Sequence, residues 1–229
     1  MKEINPRIVV PQDDGDVIEW FKGHFDSVYA VLHPFERVLP EHHNLFMKSD
    51  TGPTRTQLKE LASPVSWSEV LKITNLPTIQ RLNRVLSEGI GAIHRKHLEE
   101  VAAFRAQLKS NNILEPGEGG FPDILLDDFL HSFMDWGYEA VVVGNEWGDR
   151  ATKYRISDLL SRDYPTVDEV NETLYSEDFR LLYGGHWDSF YTFLCGPHEM
   201  VSKIVEKYSF EGFFFEPGMH VYWMDEDCE

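Results

Sequence analysis

Two short polar segments of the sequence hold the residue types that acid–base or metal chemistry requires. One follows an apolar run that ends at Val143, and the other precedes an apolar run that begins at Ser189. A neutral imidazole and carboxylates bind divalent cations, and a histidine beside a carboxylate exchanges protons near neutral pH. The sequence therefore predicts a ligand-binding site, with a divalent metal held by His186 and Asp188. Its residues are Asn145, Glu146, Asp149, His186, Trp187 and Asp188.

The strands beside these segments decide whether such a site forms. Residues 138–143 and 189–195 are mostly apolar and are bounded by glycine-containing polar segments, which predicts two buried strands. If the strands are antiparallel neighbours, the two polar segments meet at one edge of the sheet, and if they are parallel, the segments lie at opposite edges. The alternative is that both segments are turns, with Asp188 capping backbone N–H groups and the tryptophans covering the core.

A thiol nucleophile is a second possibility, because Cys195 precedes a predicted helix start and His198 is close in sequence. Cys195 alternates with the inward residues of the predicted strand, so a buried, inert thiol is favoured. Cys228 is the other cysteine, and two cysteines so placed form neither a disulfide framework nor a zinc site. The sequence has no Gly-x-Ser-x-Gly, His-Glu-x-x-His or dinucleotide-binding motif.

Helical patterns dominate the first half of the chain. Apolar spacing and capping residues predict helices over 17–32, 56–62 and 66–73, and a long helical tract from Pro77 to Lys109. Glycines at 89 and 91 interrupt that tract and predict a kink or a close backbone approach. His94 and His97 are three residues apart in it, but a packed histidine is favoured over a metal ligand at His97.

The second half alternates predicted strands and helices. Beyond the two buried strands, strands are expected over 213–215 and 219–224, and helices over 124–136, 166–175 and 197–208. These patterns predict an α+β fold, in which a mainly helical N-terminal half packs on a C-terminal half with a small mixed β-sheet. The expected regions are 1–115 and 123–229, joined by the Pro- and Gly-rich segment 116–122, and one continuous domain is the alternative.

The charge distribution restricts the kinds of partner. The net charge is −18, and residues 113–229 hold 25 acidic and 7 basic residues, whereas residues 1–112 are balanced. Such a surface repels nucleic acid and anionic lipid and attracts basic proteins or cations. The polar, proline-interrupted start lacks the pattern of a signal peptide, which predicts a cytoplasmic protein.

One part of the sequence resembles uncharacterised proteins of bacilli that have no known function. The resemblance rests on Gly-Gly-His-Trp-Asp-Ser-Phe at 184–190, Cys-Gly-Pro-His-Glu at 195–199 and Glu-Gly-Phe-Phe at 211–214. It covers about the last quarter of the chain. It implies a bacterial cytoplasmic origin and brings no activity with it.

Because no catalytic motif is complete, the sequence favours a non-catalytic binding protein. One concrete form is an acidic protein that neutralises a basic protein partner, as an immunity protein does. The alternative is a metal-assisted hydrolase, or another small-molecule enzyme, that uses His186 and Asp188.

Overall fold

A computed structural model describes residues 9–11, 15–47, 52–145, 147–162 and 172–223. Residues 40–42 form a short 3-10 helix. The α-helices of the described part are α1 Val17–Phe21, α2 His43–Phe46, α3 Arg55–Leu61, α4 Trp67–Thr74, α5 Ile79–Ile90, α6 Leu98–Ser110, α7 Asp123–Asp135, α8 Ile156–Leu160 and α9 His198–Tyr208. Its strands are β1 Ser27–Leu32, β2 Phe35–Val38, β3 Ala62–Val65, β4 Ile113–Leu114, β5 Ala140–Asn145, β6 Ala151–Arg155, β7 Glu172–Tyr175, β8 Leu182–Gly185, β9 Tyr191–Gly196 and β10 Gly212–Phe214.

The described strands form two sheets. The larger sheet has seven described strands in the order β10-β1-β9-β8-β7-β5-β6, and the smaller has three in the order β3-β2-β4. Every described strand pair is antiparallel. Among the described residues, no helix is long and apolar enough to cross a membrane.

Backbone contacts divide the chain into two compact units. Unit 1 comprises residues 1–33 and 117–222, and unit 2 comprises residues 34–116 and 223–229. Unit 1 therefore contains the larger sheet, and unit 2 contains the smaller one. One crossing of the chain between the units falls at Pro116 and Gly117, where the Pro- and Gly-rich segment begins.

The core of unit 1 lies between the larger sheet and three helices. Alternate residues of the central strands, such as Tyr29, Tyr183 and Leu194, join one buried cluster with the apolar faces of α7, α8 and α9. Phe129 of α7 stacks on Tyr183 with ring centroids 4.4 Å apart. The opposite side of the sheet is also buried, since Phe193 packs edge-on against Phe21 of α1. Covering both sides explains why β1 and β9 are buried along their whole length.

In unit 2, helices and the smaller sheet enclose an aromatic core. Phe35 of β2 contacts Trp67 of α4 and Phe104 of α6 edge-on, with ring centroids 5.9 and 6.3 Å apart. Both Phe35 and Trp67 are fully buried. Ser66 caps α4 by accepting a hydrogen bond from the Glu69 N–H, as the capping pattern predicts.

The predicted arrangement of a helical N-terminal half on a small mixed sheet is wrong. Every described pair of strands in the larger sheet is antiparallel, and β1, which lies between β10 and β9, comes from the N-terminal half of the chain. Residues 34–115 contribute β2, β3 and β4 as well. The fold contains both helices and strands, but the strands come from both halves of the chain, not from the C-terminal half alone.

The main cause of this error is the segment 17–32, which is not one helix. Helix α1 ends at Phe21, and β1 follows it. All six residues of β1 are buried, so polar residues do not alternate with apolar ones. The sequence therefore lacks the two-residue alternation that identifies a half-buried strand. The β-branched and aromatic residues Val28, Tyr29 and Val31 favour a strand over a helix.

Several other predictions are confirmed, with ends that shift by one or two residues. These are the central strand at 191–196, the strand at 140–145, and helices α3, α4, α7 and α9. The long tract from Pro77 is two helices, because Gly91 adopts φ +85° and ends α5. The helix expected over 166–175 is wrong at Glu172–Tyr175, which is β7, and its earlier residues lie outside the described part. Of the strand expected over 219–224, the described residues show one isolated bridge, between Asp16 and His220.

Candidate functional site

The two predicted polar segments lie at the same end of the larger sheet. Strands β5 and β8 run in the same direction, and both stop at this end. The pairings of Asn145 with Glu172 and of Thr173 with Gly184 align their last residues in one row. We call the connections β5–β6 and β8–β9 the tryptophan loops, because they carry Trp147 and Trp187.

The topology matches neither of the two arrangements expected from the sequence. Strands β5 and β9 are antiparallel in direction, but β7 and β8 lie between them. The nearest strands of the two loops, β5 and β8, are two strand spacings apart, which is roughly 10 Å. The loops therefore share an end of the sheet without being joined by adjacent strands.

In the first tryptophan loop, Asn145 closes the hairpin. Its side-chain oxygen accepts hydrogen bonds from the backbone N–H groups of Asp149 and Arg150, at 3.2 and 3.1 Å. Its amide nitrogen donates to Asp149 Oδ1 at 2.8 Å. Asn145 is buried, whereas Trp147 is 65% exposed at the tip. Glu146 lies outside the described residues. Asn145 and Asp149 thus fix the loop that presents Trp147.

In the second tryptophan loop, His186 lies inside the turn. The Ser189 N–H donates to the His186 carbonyl at 3.1 Å, and the imidazole Nδ1 is 2.8 Å from Ser189 Oγ. The ring contacts Tyr222 edge-on at 5.8 Å between centroids. His186 is only 3% exposed, but Trp187 beside it is 59% exposed. The predicted site residues of this loop therefore divide into an enclosed histidine and a tryptophan that faces solvent.

A segment that the sequence analysis treated as a linker, 117–120, packs against the second loop. The Gly119 N–H donates to the Ser189 carbonyl at 3.0 Å. A Cβ atom at Gly185 would come within 2.5 Å of the Gly119 carbonyl oxygen, so only glycine allows this approach. Segment 117–120 consequently packs against the turn end of the β8–β9 hairpin, at the base of the second tryptophan loop.

His33 anchors the same segment and was missed by the sequence analysis. Its Nδ1 lies 3.0 Å from the Gly117 carbonyl, and its Nε2 lies 2.9 Å from Thr192 Oγ1. Because a carbonyl only accepts, Nδ1 carries the proton and the Thr192 hydroxyl donates to Nε2. Burial lowers the pKa of His33 to about 4, so the ring is neutral at pH 7. No local spacing reveals this role, because Gly117 is 84 residues away in sequence.

The tryptophan loops carry negative charge. Asp149 is exposed and Asp188 half-buried on the two loops, and Glu118 is exposed on segment 117–120. Burial, together with the charge of Asp188, raises the pKa of Glu118. A carboxylate beside another negative charge favours a positively charged group nearby. This end of the sheet therefore combines carboxylates with two exposed indoles.

The described residues also bear on the thiol nucleophile and on the divalent metal site. Cys195 is buried in β9, and burial raises the pKa of its thiol, which disfavours the reactive thiolate. Cys228 lies outside the described residues. Within the described ranges, no group of three or more His, Cys, Asp or Glu side chains is placed to hold a metal ion. The metal site at His186 and Asp188 stays a prediction.

The chain belongs to a family of proteins of unknown function, DUF2711, whose model matches residues 13–224. The match spans both units and the whole of the candidate site. No curated protein and no solved structure gives a significant match.

Proposed function

We propose that this member of the family is a non-catalytic binding protein that holds a basic partner protein at the tryptophan loops. The observation that carries the proposal is the exposure of Trp147 and Trp187 at one end of the larger sheet. Large aromatic side chains are normally buried, and tryptophans on a protein surface are enriched at the centres of binding interfaces.

The chemistry of the loops favours a partner rich in lysine and arginine. A guanidinium or ammonium group is attracted to the face of an indole ring, with about 0.5 to 2 kcal/mol per contact. Asp149 on the first loop, and Asp188 with Glu118 at the second, can add charge complementarity. Each exposed indole can thus contact a cationic side chain while a neighbouring carboxylate pairs with it.

The charge of unit 1 supports the same choice over a longer range. Unit 1 holds 26 acidic and 10 basic residues. A field of this sign speeds the approach of a basic protein and repels nucleic acid and anionic membranes. The long-range part of the attraction is screened within about 8 Å at physiological ionic strength, so binding should weaken with salt.

Hydrogen bonds inside each loop favour a preformed binding surface. Asn145 fixes the first loop, and the Ser189 N–H together with segment 117–120 fixes the second. Ordering a loop on binding costs free energy, so loops that are already fixed lose less. A cytoplasmic acidic protein that neutralises a basic one, in the manner of an immunity protein, is one concrete form of this function.

The metal-assisted hydrolase remains the alternative, and it requires more of the site. His186 would have to leave its contacts with Ser189 and Tyr222 before it could reach a ligand in solvent. Asp188 is better placed for such a role because it is half-buried rather than enclosed.

The proposal is tested by selecting binders from a random peptide library with the full chain as bait. Peptides enriched by the wild-type protein should be rich in lysine and arginine. The double variant Trp147→Ala/Trp187→Ala should bind these peptides with at least about tenfold lower affinity. A tenfold loss corresponds to about 1.4 kcal/mol of binding free energy, and truncating a tryptophan at the centre of an interface typically costs more than this. Met134→Ala is the matched control, because Met134 is a 48% exposed apolar side chain of α7 in the same unit.

Two results would contradict the proposal. One is a selected set without enrichment in basic residues. The other is a set that binds the double variant as tightly as the wild-type protein.

A further inference from the structure

A surface cavity in unit 2 is lined mainly by charged side chains. Its volume is about 530 Å³, and its lining consists of Arg81 and the continuous run 95–100. This volume lies in the range of small-molecule binding sites, about 300 to 1,000 Å³. The run 95–100 includes the basic residues Arg95 and Lys96 with His97, and it also includes Glu99 and Glu100.

The backbone of this cavity is held in place by a buried carboxylate. Glu88 of α5 is fully buried, and its Oε2 accepts hydrogen bonds from the N–H groups of Lys96 and His97 at 3.1 and 2.7 Å. Its Oε1 lies 2.8 Å from His97 Nδ1. Burial alone would raise the pKa of Glu88, but these hydrogen bonds outweigh it and lower the pKa. Glu88 therefore stays ionised and fixes the loop between α5 and α6.

Arg81 is oriented by a second carboxylate. Its Nε and Nη2 donate to the two oxygens of Glu100 at 3.3 and 2.6 Å. This pairing offsets the charge of Glu100 in the first turn of α6. Glu99, also in the first turn, is exposed and leaves one negative charge at the rim.

Arg95 supplies positive charge that is not offset in this way. Its guanidinium packs on Gly91, where an added Cβ would come within 2.8 Å of Nη2. Arg95 is exposed, and no carboxylate among the described residues forms an ion pair with it. A planar guanidinium on a rigid backbone binds two oxygens of a phosphate or carboxylate group at once.

The start of α6 adds backbone donors to the same place. The helix begins at Leu98, and the side chain of its N-cap residue, His97, makes no capping hydrogen bond because it is bound to Glu88. The first-turn N–H groups of a helix lack partners within the helix, and the helix dipole favours an anion there.

We propose that this cavity binds a small phosphorylated molecule, with its phosphate held by Arg95 and Lys96 at the start of α6. The arrangement combines an exposed guanidinium, an ammonium and helix N–H donors on a backbone that Glu88 fixes. A single phosphate ion fills only part of about 530 Å³, so the cavity has room for an organic group beyond the phosphate. The cavity shares no residue with the tryptophan loops, and it is proposed to bind an anion where the loops are proposed to bind a cation. An experiment can therefore contradict one proposal without contradicting the other.

The experiment is a titration of the full chain with inorganic phosphate and with pyrophosphate. Isothermal titration calorimetry measures the affinity, and backbone amide chemical shifts locate the site. Saturable shifts are expected at residues 95–100. Arg95→Ala should weaken pyrophosphate binding at least about tenfold, which is the loss of one charge-assisted contact of 1.4 kcal/mol or more. The affinity of Arg95→Lys for pyrophosphate should lie between those of the wild-type protein and Arg95→Ala, because lysine keeps the charge but lacks the planar guanidinium.

Lys109→Ala is the matched control, because it removes one positive charge from the last turn of the same helix, outside the cavity lining. Its affinity for pyrophosphate should equal that of the wild-type protein. The proposal is overturned if neither anion saturates the wild-type chain, or if Arg95→Ala and Lys109→Ala bind pyrophosphate alike. Both substitutions lie on the surface, and a thermal melt confirms that each variant is folded.

Discussion

The side chains that form and support the tryptophan loops are of two kinds, which differ in burial. Asn145, His33 and His186 are enclosed and hydrogen-bonded to the chain, whereas Trp147 and Trp187 face solvent. An enclosed polar group that loses its partner costs about 1 to 3 kcal/mol, so the first kind maintains the loops. The exposed tryptophans contribute little to the stability of the fold and can contact a partner.

The clearest consequence for a single residue is the pH dependence of His33. An unfolded histidine has a pKa near 6.5, and burial lowers the pKa of His33 to about 4. Between these values the unfolded chain binds a proton that the folded chain does not, so stability falls as the pH falls from about 6.5 to about 4. The full loss for one such group is about 3 kcal/mol.

His33→Gln should flatten that dependence. The free energy of unfolding, measured by denaturant titration at several pH values, should change less between pH 6.5 and 4 for this variant than for the wild-type protein. His24→Gln is the control, because His24 is exposed, and it should keep the wild-type dependence. An unchanged slope in His33→Gln would show that other groups cause the acid sensitivity.

At this scale, the sequence identified residue types better than residue roles. His186 and Asp188 lie in a loop beside a strand, as predicted, because glycines and polar residues mark turns, whereas Asn145 is the last residue of β5. Their partners were not predictable in full. The Asn145 and His186 bonds are local, but the His33 bonds join residues 84 and 159 positions apart, and such pairs depend on the tertiary fold.

Among the elements, segment 117–120 is the one whose role was least expected. Its proline and glycine content indicated a linker, and part of it packs at the base of the second tryptophan loop. Glycines permit either a flexible connection or a close backbone approach, and the sequence does not say which.

Gly185→Ala tests this packing. Its new methyl group would meet the Gly119 carbonyl oxygen at 2.5 Å, and backbone cannot yield as a flexible side chain does. We expect a loss of about 1 to 3 kcal/mol in the free energy of unfolding. Gly120→Ala is the control, because a Cβ there has nothing within 4 Å, and its effect should be well under 1 kcal/mol. Equal stability of the two variants would show that segment 117–120 does not press on the hairpin.

Helices with a clear polar face were predicted well, whereas the fully buried strand β1 was not. Helix α9 has apolar residues at helical spacing, with Glu199 near its start and Lys207 near its end. This pattern predicts a helix and does not fit a strand. Strand β1 is buried along its whole length, and a short apolar run fits either a strand or a buried helix. Because β1 lies between β9 and β10, the helix predicted over this segment removed an N-terminal strand from the expected sheet.

For the whole molecule, charge divides between the units much as it does between the halves of the chain. Unit 1 holds 26 acidic and 10 basic residues, whereas unit 2 holds 13 acidic and 11 basic residues, and its segment 34–116 accounts for 9 and 11 of them. The division at residue 112 gives a similar result because most of unit 1 follows it in sequence. A basic protein partner for unit 1 and a phosphorylated ligand for unit 2 are both consistent with this distribution.

The central claim is that Trp147 and Trp187 contact a basic partner, and the indole N–H resonances test it most directly. A lysine- and arginine-rich peptide is titrated into isotope-labelled protein at low and at high salt. We predict that the indole signals of Trp147 and Trp187 shift together and saturate, that high salt weakens the effect, and that the buried Trp67 does not respond. Unshifted signals from both loop tryptophans, or equal shifts with an acidic peptide of the same length, would contradict the account.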